Sequence, residues 1–218
     1  MRLRWVLVVC GAASAWGGVL DALPVSQREA VLAGEQVVVT EDLKGHPWPR
    51  VTIYNLASRT PEEVAAVFFD YEAARHFVPN VTKSEVAVQR TACEADVAYS
   101  LNVPILPDEH YTARNTLRAE ADGYVIGWKL LEARQTKDSV GEFRVEPQGS
   151  GAVVRYQVLT TPSSAMAGML RGVAVDQVKR TVRAICDEAS RLGKQHPAEL
   201  ERKVAELRAA LAAEGQGL

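Results

Sequence analysis

The chain has 218 residues, 47% hydrophobic and 24% charged, with a net charge of −2. That is ordinary globular chemistry, with apolar material for one domain of about 150 residues plus extensions at both ends. The balance excludes the basic footprint of a nucleic-acid binder, and neither end carries a long run of one charge.

Arg2 and Arg4 precede an apolar run from Trp5 to Ala13, and Ala13-Ser14-Ala15 fits the small-x-small pattern before a cleavage point. Residues 1–15 are therefore expected to be a signal peptide, giving a secreted or periplasmic protein. Cleavage leaves 23 basic against 27 acidic residues, a net charge of −4. Two other readings stay open. The 16 uncharged residues from Trp5 to Leu20 could serve as an uncleaved anchor, though they are short for a span. Cys10 could be lipidated, although Val9 is bulky before it. Outside the cytoplasm Cys93 and Cys186 either pair or stay apart as buried thiols. No spacing of Cys and His points to a metal, and no cofactor is expected.

Residues 16–49 form an N-terminal extension. In it Ser26-Gln27-Arg28-Glu29 reads as a capping box opening a short helix that Gly34 closes, and Val37 to Val39 read as a strand. The Lys44–Pro49 loop leads to a second strand, about Arg50 to Leu56. Thr60-Pro61-Glu62-Glu63 is a stronger box: Thr60 caps, Pro61 takes the first helical position and Glu63 reaches back. Its helix carries Val64, Val67, Phe68 and Tyr71, and a further turn through His76 and Phe77 stops at Pro79.

From Thr82 to Thr161 the hydrophobic period becomes two. Strands are expected at 84–89, 95–103, 110–119, 124–133, 140–146 and 153–161, joined by short connections into an antiparallel meander. Alternation puts Val97, Tyr99, Leu101 and Val103 on one face, and likewise Tyr111, Ala113, Asn115 and Leu117. Tyr124, Ile126, Trp128 and Leu130 form a third such row, and Val154, Tyr156 and Val158 a fourth. The loop Pro104–Glu109, with its apolar tip, reads as a lid, a membrane-touching loop or a Pro-stiffened turn.

A long amphipathic helix is expected from Ala165 to Leu192, with Met166, Met169, Leu170, Val173, Val178, Val182, Ile185, Ala189 and Leu192 on one face. Pro162 to Ser164 supply its start, and Gly193 with Pro197 its stop. Gly168 and Gly172 lie inside it, and each costs about 1 kcal/mol relative to Ala. A ligand passing close to a thin helix segment, tight backbone packing, or a helix that begins nearer Val173 would each explain them. Residues 194–218 read as a separate tail. Its stripe of Leu200, Val204, Leu207 and Leu211 is either a weakly docked solvated helix or a protein-binding helix over 197–213.

The ordered set Thr60-Pro61-Glu62-Glu63-Val64 with Phe68 and Asp70, Val78-Pro79-Asn80-Val81, Val97-x-Tyr99, Tyr111, Trp128, Gly151 with Tyr156, and the last amphipathic helix resembles the START-like superfamily. That group is also described as polyketide cyclases and lipid-transport proteins (SRPBCC), and the likeness covers about Arg50 to Leu192. It implies an α+β helix-grip fold over residues 50–193, a curved antiparallel sheet wrapped around a long C-terminal helix. It also implies a hydrophobic tunnel between the two, holding a lipid, sterol, polyketide or similar molecule.

The residues agree with such a cavity. A sealed core favours Leu, Ile and Phe, because a buried phenol or indole must find a partner. Tyr99, Tyr111, Tyr124, Trp128, Tyr156 and Asn115 on inward faces are therefore candidate ligand-binding groups, along with Met166, Met169, Gly168 and Gly172. Bonds to backbone or water, and plain core packing for Trp128, are the other readings. No catalytic residue is assigned. His46, His76, His110 and His196 sit in unrelated contexts, no GxSxG or HExxH occurs, Glu62 and Glu63 are used in capping, and the other acids are expected to alternate outward along with Arg114 and Arg155. The expected function is non-catalytic binding, and transport, of a hydrophobic small molecule, with transient membrane contact. The alternatives are an aromatase/cyclase-like enzyme acting on a polyketide-type substrate with scattered pocket residues, against which export argues, and a protein-interaction module using the C-terminal helix.

Overall fold

The computed structural model describes residues 18–102, 108–164 and 170–215. The period-two stretch folds into six strands: β3 (Val81–Gln89), β4 (Glu94–Leu101), β5 (Glu109–Glu120), β6 (Gly123–Ala133), β7 (Thr136–Gln148) and β8 (Gly151–Pro162). β1 (Val37–Glu41) and β2 (Arg50–Ala57) precede them, and the sheet order is β1-β2-β8-β7-β6-β5-β4-β3 with every pair antiparallel. Short hairpins allow no other pairing within the meander, and β8 then closes onto β2. The helices are α1 (Val25–Leu32), α2 (Pro61–Phe69), α3 (Ala74–Phe77), α4 (Arg171–Gln195) and α5 (Pro197–Gly215).

One face of the sheet holds the main core. Ile53, Val97, Ile126, Phe143, Val145 and Val154 meet Val64 and Val67 of α2 and Val182, Ile185, Ala189 and Leu192 of α4. The α2 start follows the expected chemistry. Thr60 Oγ1 accepts from the Glu63 N–H at 3.3 Å, and the Glu63 carboxylate accepts from the Thr60 N–H at 2.9 Å.

Four expectations need correction. α1 is capped by Pro24, not by a Ser26 box. Ser26 already lies in the first turn, because Pro24 presets the entry and needs no side-chain bond. Its end is as expected: Gly34 at φ +91° lets the Gly34 and Glu35 N–H groups reach back to the Val31 and Ala30 carbonyls. Gly193 does not stop α4. A Cβ there would meet the Arg59 guanidinium at 2.1 Å, so this glycine admits a side chain from the α2 approach, and the helix runs on until Pro197 forces His196 out of helical geometry. The α4 start is Arg171, near the latest of the three sequence alternatives. Finally, α5 is not a weakly docked tail. Leu200 and Leu207 are buried in the main core against α2 and α4, and Lys203, 4% exposed, pairs there with Asp70.

The N-terminal extension covers the opposite face of the sheet. Val19, Leu20 and Leu23 pack with Val31, Val37, Tyr54 and Val153 in a second cluster, and the Val19 N–H donates to Glu146 Oε2 at 2.7 Å. Cys93 and Cys186 are free and buried. Burial raises both thiols, Cys186 up to about 12, so they behave as small hydrophobes. Among the described residues, no helix is long and apolar enough to cross a membrane.

Asp96 is a buried acid of the outer face. Arg114 Nε donates to it at 2.8 Å and Arg90 Nε at 2.8 Å. The hydrogen bonds from Arg114 and then Arg90 hold its carboxyl well below the usual carboxylate range. Its folded state therefore binds the proton less readily than the unfolded chain, so its contribution is complete above an unperturbed value of about 4 and is lost as pH falls below it. Asp96→Asn should flatten that part of the acid limb. Urea midpoints at pH 7 and pH 3 check this, and an equal loss in both proteins would count against it.

Candidate functional site

Between the inner face of the sheet and the first half of α4 lies a cavity of about 320 Å³. The meander supplies one wall, because each strand turns every second residue inward: Tyr99 from β4, Tyr111 and Asn115 from β5, Trp128 from β6, Tyr156 from β8. Phe68 of α2 closes one side, and the 78–81 turn with Val175, Gln177 and Val178 of α4 closes another.

The aromatic rings form two groups. Tyr99 and Tyr111, opposite one another on β4 and β5, are stacked with centroids 5.0 Å apart. Trp128 lies 4.8 Å from Tyr156, and Phe68 meets both edge-on. Burial raises the phenols of Tyr99, Tyr111 and Tyr156, and that of Tyr71, which also lines the cavity, so all four stay protonated at neutral pH. Tyr99 is paired with Ser84 on β3, whose own hydroxyl donates to the Tyr71 carbonyl. The hydroxyls of Tyr111 and Tyr156 have no hydrogen-bond partner among the described residues. Asn115, 3% exposed, spends one amide hydrogen on the Ala113 carbonyl at 3.1 Å. The cavity is thus largely apolar, with a few neutral polar groups, the usual make-up of a small-molecule site.

Trp128 both packs and lines. It sits opposite Gly141 on β7, where a Cβ would come within 2.0 Å of the indole and 2.7 Å of the Gln157 carbonyl. Gly141→Ala must push the ring into the cavity or spread β7 from β8. It should cost about 1–3 kcal/mol of stability and weaken binding of a neutral hydrophobic dye roughly tenfold, read by melting and dye titration. Unchanged dye affinity would contradict this placement.

Two candidates lie elsewhere. Tyr124 shares the inner face but packs under α2 and α5, away from the cavity. Its hydroxyl donates to Glu62 Oε1 at 3.3 Å, and Glu62 also takes a two-point contact from Arg208 at 2.7 and 2.5 Å. Glu62 therefore serves this bridge, while Glu63 alone completes the cap. Gly172 is exposed on the helix, and a Cβ there would meet no protein atom within 4 Å, so tight backbone packing does not explain it. Met166, Gly168, Met169 and the Pro104–Pro107 tip lie outside the described residues.

Sequence reading missed Glu109. Taking β5 to begin at His110 hid that residue 109 has the same parity as Tyr111 and Ala113, and it lines the cavity instead of alternating outward. It also missed Gln177, which accepts from Asn80 Nδ2 at 2.8 Å and donates to the Pro79 carbonyl at 2.7 Å, tying α4 to the turn before β3. Arg114 and Arg155 do face outward, paired with Asp96 and Glu142. Ser100 and His110 touch at 2.8 Å, but on the outer face and with no carboxylate on the ring among the described residues. No group of His, Cys, Asp or Glu among them could hold a metal ion.

Residues 58–185 match the family model described as polyketide cyclase / dehydrase and lipid transport. No curated protein matches the sequence. Among solved structures the fold is similar to a STAR-related lipid transfer protein from Xanthomonas axonopodis, with TM-score 0.63 and 17% identity over 71% of this chain and 98% of that one. It is also similar to the Zhui aromatase/cyclase from Streptomyces sp. R1128, with TM-score 0.55 and 19% identity over 66% and 94%. A third likeness is to human StAR-related lipid transfer protein 5, with TM-score 0.59 and 11% identity over 72% and 88%. At these identities the structures speak for the helix-grip fold alone, and the family match covers more than half of the chain. The chain belongs to the START-like polyketide cyclase / dehydrase and lipid transport family, as a hydrophobic ligand-binding domain.

Proposed function

We propose that the protein binds a hydrophobic small molecule without transforming it, and carries it outside the cytoplasm. The observation that carries this reading is the cavity: aromatic and aliphatic walls, neutral phenols, and no nucleophile–base pair facing inward among the described residues. Burial of apolar ligand surface would supply the affinity, at roughly 25 cal/mol per Å².

Release would run through the first half of α4. Every fully buried residue of that helix lies from Val182 onward, whereas residues 171–181 hold only half-buried and exposed side chains over the cavity. Polar ties hold this half in place: Gln177 to Asn80 and Pro79, Gln36 Nε2 to the Lys179 carbonyl, and an exposed Arg171–Asp42 pair. Such ties break at less cost than a packed core, which suits a segment that must open.

The test is to incubate the protein with a neutral hydrophobic ligand and recover it. Recovery at unchanged mass, with Tyr156→Phe and Asn115→Ala weakening binding, supports a carrier. A product of altered mass, lost in those variants, would favour the aromatase/cyclase alternative. The apolar stripe of α5 is already spent on the core, which speaks against the protein-interaction reading. Export is tested by expressing the whole chain in a bacterium, where the periplasmic protein should start at Trp16; retention of the first 15 residues would support an anchor instead.

A further inference from the structure

Glu109 is the one acid among the described residues lining the cavity, and it is 6% exposed. Its carboxylate is ringed by donors. Oε1 accepts from the backbone N–H groups of His110 (2.9 Å), Arg134 (3.0 Å) and Gln135 (3.1 Å), and Oε2 accepts from the Gln135 N–H (3.1 Å) and the Thr136 hydroxyl (2.9 Å). All of these donors are neutral. They satisfy the oxygens without cancelling the charge, which therefore projects into a poorly solvated space. The cavity registers it: after burial, the charge of Glu109 is the second cause that raises Tyr111. The one cation among the described lining residues, Arg171, is exposed and pairs with Asp42 at 2.7 Å. What the walls offer a guest is therefore flat aromatic surface and neutral polar groups, among them the hydroxyls of Tyr111 and Tyr156, which have no partner among the described residues.

We propose that Glu109 acts as an electrostatic filter, so that the cavity takes an uncharged ring system bearing a hydrogen-bond acceptor and rejects the anionic form of the same skeleton. This rests on the cavity being the ligand site. The phenols donate to the acceptor, the stacked rings cover the faces, and the carboxylate repels a ligand carboxylate or phosphate. Glu109 discriminates by field, without needing to touch the guest.

Three probes of one skeleton test it on the full chain at neutral pH by calorimetry: 2-acetylnaphthalene, 2-naphthoate and 2-naphthylmethylammonium. Desolvation penalises both ions, whereas the field of Glu109 penalises only the anion. The ketone should bind tightest, and the cation should exceed the anion by at least about tenfold. Glu109→Gln should bring the two ions within about threefold of each other. An anion that binds as well as the cation, or a gap that survives Glu109→Gln, overturns the filter and leaves the cavity reading intact. Failure of all three to bind overturns the cavity reading and the filter with it. Should Glu109→Gln not fold, the order of the three probes on the unsubstituted protein decides by itself.

Discussion

Replacing Asp70 with Ala should lower the stability of the protein by about 3 kcal/mol, because it strands a buried ammonium. Lys203 projects from α5 into the junction with α2 and is 4% exposed; Asp70, at the α2 end, is its main partner, and Glu199 stands farther off at 3.8 Å. Asp70 also caps the turn that follows, accepting from the Ala73 N–H at 3.3 Å. For a chain of this size the loss corresponds to a melting point lower by roughly 6–12 °C. The reverse single change is the informative control. Lys203→Met removes the charge that needs a partner and leaves Asp70, which water already reaches, so it should be nearly neutral. The double variant Asp70→Ala/Lys203→Met should recover most of the loss, a coupling that a thermal-melt cycle measures directly. Equal destabilisation by both single changes, without recovery in the double, would mean that the pair does not hold α5 to the domain.

The second large effect concerns binding. Ala113, buried on the inner face of β5 between Val97 and Leu130, lines the cavity. An indole there and a ligand compete for the same 320 Å³. Ala113→Trp should therefore weaken a neutral hydrophobic probe by about a hundredfold or more while costing no more than about 1–3 kcal/mol of stability from crowding. Thr112→Trp, one residue along and facing outward, should leave binding unchanged. Loss of binding in both, or in neither, would move the ligand site elsewhere.

The sheet was legible because alternation reports burial directly. Asp96, Arg114 and Arg155 were placed outside, and Tyr99, Tyr111, Asn115, Trp128 and Tyr156 inside, by parity alone. Parity says which face, not which end of a face, and so Tyr124 was grouped with Trp128 although α2 and α5 cover it. Glu109 escapes because parity does not say where a strand begins: with β5 taken from His110, residue 109 drops out of the inward row, and the donors that hold it, mostly backbone N–H groups, leave no mark in the sequence. The glycines misled for the same reason. Gly193 reads as a helix stop, and only the tertiary neighbour Arg59 shows why a side chain is excluded there. The α5 stripe is narrow enough to pass for a solvated helix, yet it meets two other helices, and its one buried lysine is matched by an acid 133 residues away.

The most direct measurement is native mass spectrometry of the protein purified from its native host, followed by organic extraction of whatever it holds. The carrier reading predicts one apolar molecule per chain, uncharged, and absent from the Ala113→Trp protein prepared in the same way. A protein that emerges empty, and that also ignores a panel of neutral ring compounds and lipids, would contradict it.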